Sequence, residues 1–223
     1  MKHAWKFRDN DIDTLLYYIF FGVLLGGRIG YVLLYNPGYF LAHPSEIFAF
    51  WNGGMSFHGG FLGVLIAVFA FARLKKYSFF AITDVLAVII PVALGLGRIG
   101  NSINQELLGF SPYNGPFAVV VNGVSHFPSP LFEMLLEGIL LFGIMFSFWK
   151  LRPSYFKLRT SNGFLSSIFL IGYATMRLIA EQFRLPDSHI GYLFGTDFIT
   201  IGMIYTLPMF VFGLYLLSRT MKK

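Results

Sequence analysis

Six apolar runs of 18–24 residues, at 12–35, 55–72, 79–97, 131–149, 163–183 and 197–217, fix what this chain can become. Each matches the length of a helix crossing a hydrocarbon core of about 30 Å. A helix also satisfies its backbone N–H and C=O groups within one segment, which an oily surrounding demands. With 56% apolar and 13% charged residues and a mean hydropathy of +0.65, a water-soluble globule is excluded. No stretch between the runs is long or polar enough for a separate aqueous domain. The expected architecture is a single all-α integral membrane domain over residues 1–223, a polytopic bundle of six transmembrane helices with a small outer loop region at 98–130.

Charge placement orients the bundle. Of the 17 Lys and Arg residues, all but four lie at the termini or in the segments 73–76 and 150–159. Cytoplasmic loops retain basic residues, so both termini are expected in the cytoplasm and the segments 36–54, 98–130 and 184–196 outside. The formal net charge of +6 is thereby explained by topology, and no nucleic-acid partner is implied. No secretory signal peptide is visible, because the first apolar run is too long for an h-region. The absence of Cys removes disulfides, thiol nucleophiles and cysteine metal sites.

The four remaining basic residues are all arginines, Arg28, Arg98, Arg177 and Arg184, inside apolar runs or at their outer ends. Burying an arginine at mid-bilayer costs about 2.5–3.5 kcal/mol on insertion scales. Such residues either snorkel or pair structurally with Glu46, Glu106, Glu133, Glu137 or Glu181, or they meet water or an anionic ligand. Tyr173, Arg177, Glu181 and Arg184 fall within an arc of about 80° of one helix. That pattern fits either a structural ion-pair ladder or a carboxylate orienting guanidiniums that grip a phosphate bidentately, a task lysine performs poorly. Glu133 and Glu137, spaced i and i+4, read as counter-charges or as a proton relay.

Gly95–Gly100 matches G-x-G-x-x-G but ends a membrane-length run, and Val120 stands where a ribose-binding acid belongs, so a dinucleotide site is rejected. The polar residues after it, Arg98, Asn101, Asn104, Gln105 and Glu106, form a dense cluster; Arg98, Asn101 and Gln105 share a face if the helix continues. Gly26–Gly30 echoes the same glycine pattern. His58 lies among glycines in Gly53–Gly60, which permits close approach to an imidazole suited to proton transfer. Histidine spacing gives no metal site.

Gly97-Arg98-Ile99-Gly100-Asn101-Ser102-Ile103-Asn104-Gln105-Glu106 with Gly109 resembles the signature of bacterial prolipoprotein diacylglyceryl transferases. The Gly53–Gly60 block, the Gly26–Tyr31 block followed by Tyr35-Asn36, and the Tyr173–Asp187 helix end follow in the same order. The resemblance implies transfer of the diacylglyceryl group of phosphatidylglycerol to the lipobox cysteine of prolipoprotein signal peptides, without a cofactor, at the outer face of the bacterial inner membrane. It also implies that Arg98 and Arg177 hold the phosphate and that His58 is the candidate thiol base, with the arginine field as the alternative aid to thiol ionisation. Arg28, Asn101, Asn104, Glu106, Gly109, Tyr173, Glu181 and Arg184 would bind and orient substrate. Family members usually start with an outer arm and one further helix, which this sequence lacks, and carry Gln and Tyr where Pro130 and Phe132 stand and Phe at Ser102. A catalytically impaired lipid-binding paralogue and a small anion or lipid-phosphate transporter are the competing readings.

Overall fold

The computed structural model describes residues 7–34, 37–151, 162–185 and 191–221, without the side chains of Asp9, Leu34, Phe57 and His58. Five helices are long and apolar enough to cross a membrane, over Asn10–Leu33, Phe79–Ile103, Ser129–Leu151, Phe164–Glu181 and Ile201–Met221. The remaining expected run, 55–72, coincides with a 19-residue helix. The chain divides into two compact units, Met1–Ile82 and Thr83–Lys223.

The first unit is built on α1 (Asp9–Leu34) and α3 (Phe57–Lys75), with a short α2 (Pro37–Ala42) and two 3₁₀ turns, Pro44–Phe48 and Phe50–Asn52, between them. Gly22, Gly26 and Gly30 on α1 meet Gly59 and Gly63 on α3. A Cβ added at Gly63 would lie 2.9 Å from the Gly26 Cα, so the helices approach backbone to backbone, the route by which membrane helices gain packing without a hydrophobic driving force. Ser56 caps α3 by accepting from the Gly59 N–H at 3.2 Å. At the opposite end of the pair, Asp11 accepts from Lys75 Nζ and the Tyr77 hydroxyl, each at 2.7 Å.

The second unit contains α4 (Phe79–Ile103, entered from the first unit), α5 (Ser129–Glu133), a π-helical turn Met134–Leu140, α6 (Leu141–Leu151), α7 (Phe164–Glu181) and α8 (Ile201–Met221). Its core packs Ala87, Leu141, Met145, Phe164 and Leu165. Buried Asp84 on α4 accepts from the N–H groups of Gly163 at 2.9 Å and Ser166 at 2.8 Å, and from the Ser166 hydroxyl at 2.8 Å. A carboxylate there occupies the positive end of α7 and ties it to α4. Gly95 and Gly138 meet closely, with 3.2 Å between a Cβ added at Gly95 and the Gly138 Cα. A Cβ added at Gly97 or Gly100 of the same motif would meet nothing within 4 Å among the described residues.

The helical architecture agrees with the all-α expectation, and the expected outer loop region holds one small extended element. Within 98–130 the strands β1 (Val119–Val121) and β2 (Val124–His126) pair antiparallel, with Val121 opposite Val124. The two-residue turn is Asn122-Gly123, at φ 51° and 79°, the type I′ geometry that Asn-Gly adopts, and the valines around it favour a strand.

A candidate arginine–glutamate active site

In the second unit α4, the α5–π segment and α7 bring two arginines and three glutamates together. Arg98 Nε lies 2.8 Å from Glu133 Oε2, and its Nη2 lies 3.1 Å from Glu137 Oε2. From α7, Arg177 Nη1 reaches the same Glu133 oxygen at 3.0 Å and Glu137 Oε1 at 3.5 Å, while Nη2 lies 2.6 Å from Glu181 Oε2. Glu133 and Glu137 are fully buried, and the arginine side chains retain 15% and 11% exposure. An unshared charge at such depth is costly, and removing one partner of a buried pair costs about 3–5 kcal/mol. Mutual neutralisation therefore holds both guanidiniums in place.

Glu181 also accepts from the Thr200 hydroxyl at 2.9 Å through Oε1. Thr200 in turn accepts from the Met203 N–H at 3.3 Å at the start of α8. A Cβ at Gly202 would stand 2.5 Å from Glu181 Oε1, so any larger residue there would have to displace this carboxylate. Tyr173, one turn before Arg177, packs on the core and stacks on Phe169 at 5.9 Å between centroids.

The condition for Gln105 to share the face of Arg98 and Asn101, a helix continuing that far, is not met. The helix ends at Ile103 and the chain turns through positive φ at Gln105 (56°) and Leu107 (57°). Gln105 thereby leaves the face of Arg98 and Asn101, and Glu106 folds back over the helix end instead. The Asn101 Nδ2 donates to Glu106 Oε2 at 3.1 Å, Asn104 Nδ2 to Oε1 at 3.5 Å, and the Glu106 N–H to the Asn101 carbonyl at 2.9 Å. Gly109 and Arg184 form an isolated antiparallel bridge, joining the segment after α4 to the end of α7. A Cβ at Gly109 would meet the Phe127 Cβ at 3.0 Å. Phe127, Phe132 and Phe183 stack around this junction at 4.9–5.8 Å.

Arg28 has a socket of its own in the first unit. It is 3% exposed. Its Nε donates to the Ile47 carbonyl at 2.9 Å, Nη2 to Glu46 at 2.6 Å, and Nη1 to Gly54 at 3.2 Å and to Gly53. The Tyr31 and Phe40 rings flank the guanidinium at 5.9 and 5.3 Å. These contacts bind the 44–54 loop to α1, next to the start of α3. His58 lies in the first turn of α3, but its side chain lies outside the described atoms. Glu133, Glu137 and Thr200 complete the arginine cluster without having been assigned to the site by sequence. The i, i+4 spacing of the glutamates in an apolar run was their only signal.

Helices long and apolar enough to cross a membrane, with guanidiniums and carboxylates gathered in one buried cluster, define a polytopic helical membrane protein with buried charge, a feature that marks functional positions. The family model described as prolipoprotein diacylglyceryl transferase matches residues 1–219, and the chain belongs to that family. It is 44% identical to a phosphatidylglycerol–prolipoprotein diacylglyceryl transferase of Bordetella avium over 218 residues, covering 96% of this chain and 78% of the relative. It is 42% identical to that of Methylobacillus flagellatus over 225 residues, 100% of this chain and 82% of the relative. The transferase of Gluconacetobacter diazotrophicus is 44% identical over 220 residues, 96% of this chain and 76% of the relative.

Proposed function

We propose that this protein is a membrane transferase that moves the diacylglyceryl group of phosphatidylglycerol to the lipobox cysteine thiol of a prolipoprotein. The thiolate sulfur forms a bond to the terminal glycerol carbon of the lipid as the bond from that carbon to the phosphate oxygen breaks. The products are a thioether and glycerol phosphate, and the thiol proton passes to a base. The substrate cysteine is supplied from outside, in keeping with a chain that has none.

The observation that carries this reading is the convergence of Arg98 and Arg177, from two helices, on one oxygen of Glu133. Guanidiniums held side by side present paired N–H donors to a phosphodiester, and they stabilise the second negative charge that develops on the departing phosphate. In this reading Glu181 aims Arg177, while Tyr173, Arg184 and Gly109 shape the site and Asn101, Asn104 and Glu106 close its end. His58 takes the thiol proton, and Arg28 steadies the loop that leads to it. Six spans with both termini in the cytoplasm put this chemistry at the outer face of the bacterial inner membrane, where a signal peptide and the lipid both arrive.

The test is transfer of radiolabelled diacylglyceryl from phosphatidylglycerol to a lipobox peptide by the purified protein. Turnover is expected in the wild type and lost in Arg177→Ala. Full turnover in that variant would overturn the phosphate-cradle reading.

A further inference from the structure

Two guanidiniums, Arg98 and Arg177, face three carboxylates, Glu133, Glu137 and Glu181, within a few ångströms. Arg184 also acts on Glu133, so cations and carboxylates are balanced before any substrate arrives. A phosphodiester anion set against the same guanidiniums adds a further negative charge at a place where screening by water is weak. Charge of that kind is relieved most cheaply by a proton, because a buried carboxyl neutralises sooner than it remains as one uncompensated ion among others.

Geometry selects which carboxyl can carry it. A carboxylic acid needs an oxygen at which no donor hydrogen already points. Both oxygens of Glu137 face guanidinium nitrogens, at 3.1 and 3.5 Å. Glu181 Oε1 accepts from the Thr200 hydroxyl at 2.9 Å, and its Oε2, although it accepts no hydrogen bond among the described residues, lies 2.6 Å from Arg177 Nη2, which crowds out a further hydrogen. Glu133 differs. Its Oε2 takes both arginines, while its Oε1 is buried with no hydrogen-bond partner among the described residues, as is the hydroxyl of Ser129 one turn earlier on the same helix. Buried polar atoms are seldom left unpaired, so Glu133 Oε1, with no hydrogen bond among the described residues, is the cluster oxygen that takes a hydrogen.

We infer that occupation of Arg98 and Arg177 by the phosphate of an anionic lipid is coupled to uptake of one proton from water at Oε1 of Glu133. The inference rests on the reading of these arginines as the head-group cradle. The charged and titratable groups that act on Glu133 from its surroundings are Arg98 on α4, Glu137 on its own helix, and Tyr173, Arg177 and Arg184 on α7 and its end. Protonation cancels one anion of the cluster as the lipid anion enters and loosens the hold of Glu133 on both guanidiniums, freeing N–H donors for the phosphate. No bond to carbon changes in this step.

Calorimetric titration of the full-length protein, in phosphatidylcholine nanodiscs, with short-chain phosphatidylglycerol provides the test, run in two buffers of different ionisation enthalpy. The wild type is expected to take up about one proton per lipid bound, with affinity falling about tenfold per pH unit on the alkaline side. In Glu133→Gln, a neutral side chain of the same shape, uptake and its pH dependence disappear. In Glu137→Gln uptake persists. Lipid binding by the wild type with no proton uptake would overturn this inference alone. Uptake that survives Glu133→Gln would overturn the assignment to Glu133. Absence of lipid binding at every pH would overturn the inference together with the cradle reading, and the transferase assay then reports on that reading separately.

Discussion

Arg98 and Arg177, carried by different helices, meet on a single atom: Glu133 Oε2 lies 2.8 Å from the Nε of one and 3.0 Å from the Nη1 of the other. That oxygen sets the separation of two like charges that would otherwise repel, and the most direct consequences follow from removing it or either partner.

Replacing Arg177 by lysine keeps the charge but gives up the fork that spans Glu133 and Glu181. The loss of directed, charge-assisted bonds is worth about 1.5–3 kcal/mol. Transfer activity is expected to fall about 10- to 150-fold, read as initial rate with labelled phosphatidylglycerol, and Arg98→Lys should behave alike. Activity within twofold of wild type would show that charge alone suffices.

Glu133→Ala leaves two buried guanidiniums facing each other with one fewer anion. Destabilisation of about 3–5 kcal/mol is expected, seen as a lowered thermal midpoint in detergent. An unchanged midpoint would mean that the cluster is held by its helices and not by its charges.

The glycines separate into two groups with opposite signs. Gly63→Ala places a methyl against the Gly26 Cα at 2.9 Å and should cost about 1–3 kcal/mol by forcing α1 and α3 apart. Gly97→Ala and Gly100→Ala, inside a helix with open space around each, should stabilise by about 0.5–1 kcal/mol. Thermal unfolding of the three variants tests both signs together.

Arg28→Lys retains a cation but cannot bridge the carbonyls of Glu46, Ile47, Gly53 and Gly54. Amide hydrogen exchange across 44–54 is expected to accelerate at least tenfold, since about 1.4 kcal/mol or more of local opening free energy is lost. The α3 interior, at Val64–Ala70, should exchange as in the wild type. Equal rates in the loop would show that the 3₁₀ turns hold themselves.

The helices were legible because membrane-length apolar runs admit few alternatives, although several ends differ: α4 runs on to Ile103, past the expected end at 97, and the last helix covers Ile201–Met221 against an expected 197–217. At Gln105 an i, i+4 argument presumed continuity that a positive φ breaks. The β-hairpin was written plainly as Val-Val-Val-Asn-Gly-Val, yet an apolar background hides a local turn signal. For the site, buried charge marked Arg28, Arg98 and Arg177 alike. Sequence depth cannot distinguish a guanidinium saturated by backbone carbonyls, as at Arg28, from guanidiniums gathered on carboxylates, as at Arg98 and Arg177. Glu133 and Glu137 were visible as a pair, but their role depended on which helices lie beside them, and pairing between distant helices is not encoded in either segment alone.

Glu181 touches Arg177 with one oxygen and Thr200 with the other, and Thr200 begins α8. The guanidinium and the last helix are thus mechanically geared through one small pivot. A substitution at Thr200 would therefore reach the arginine through Glu181 without touching it.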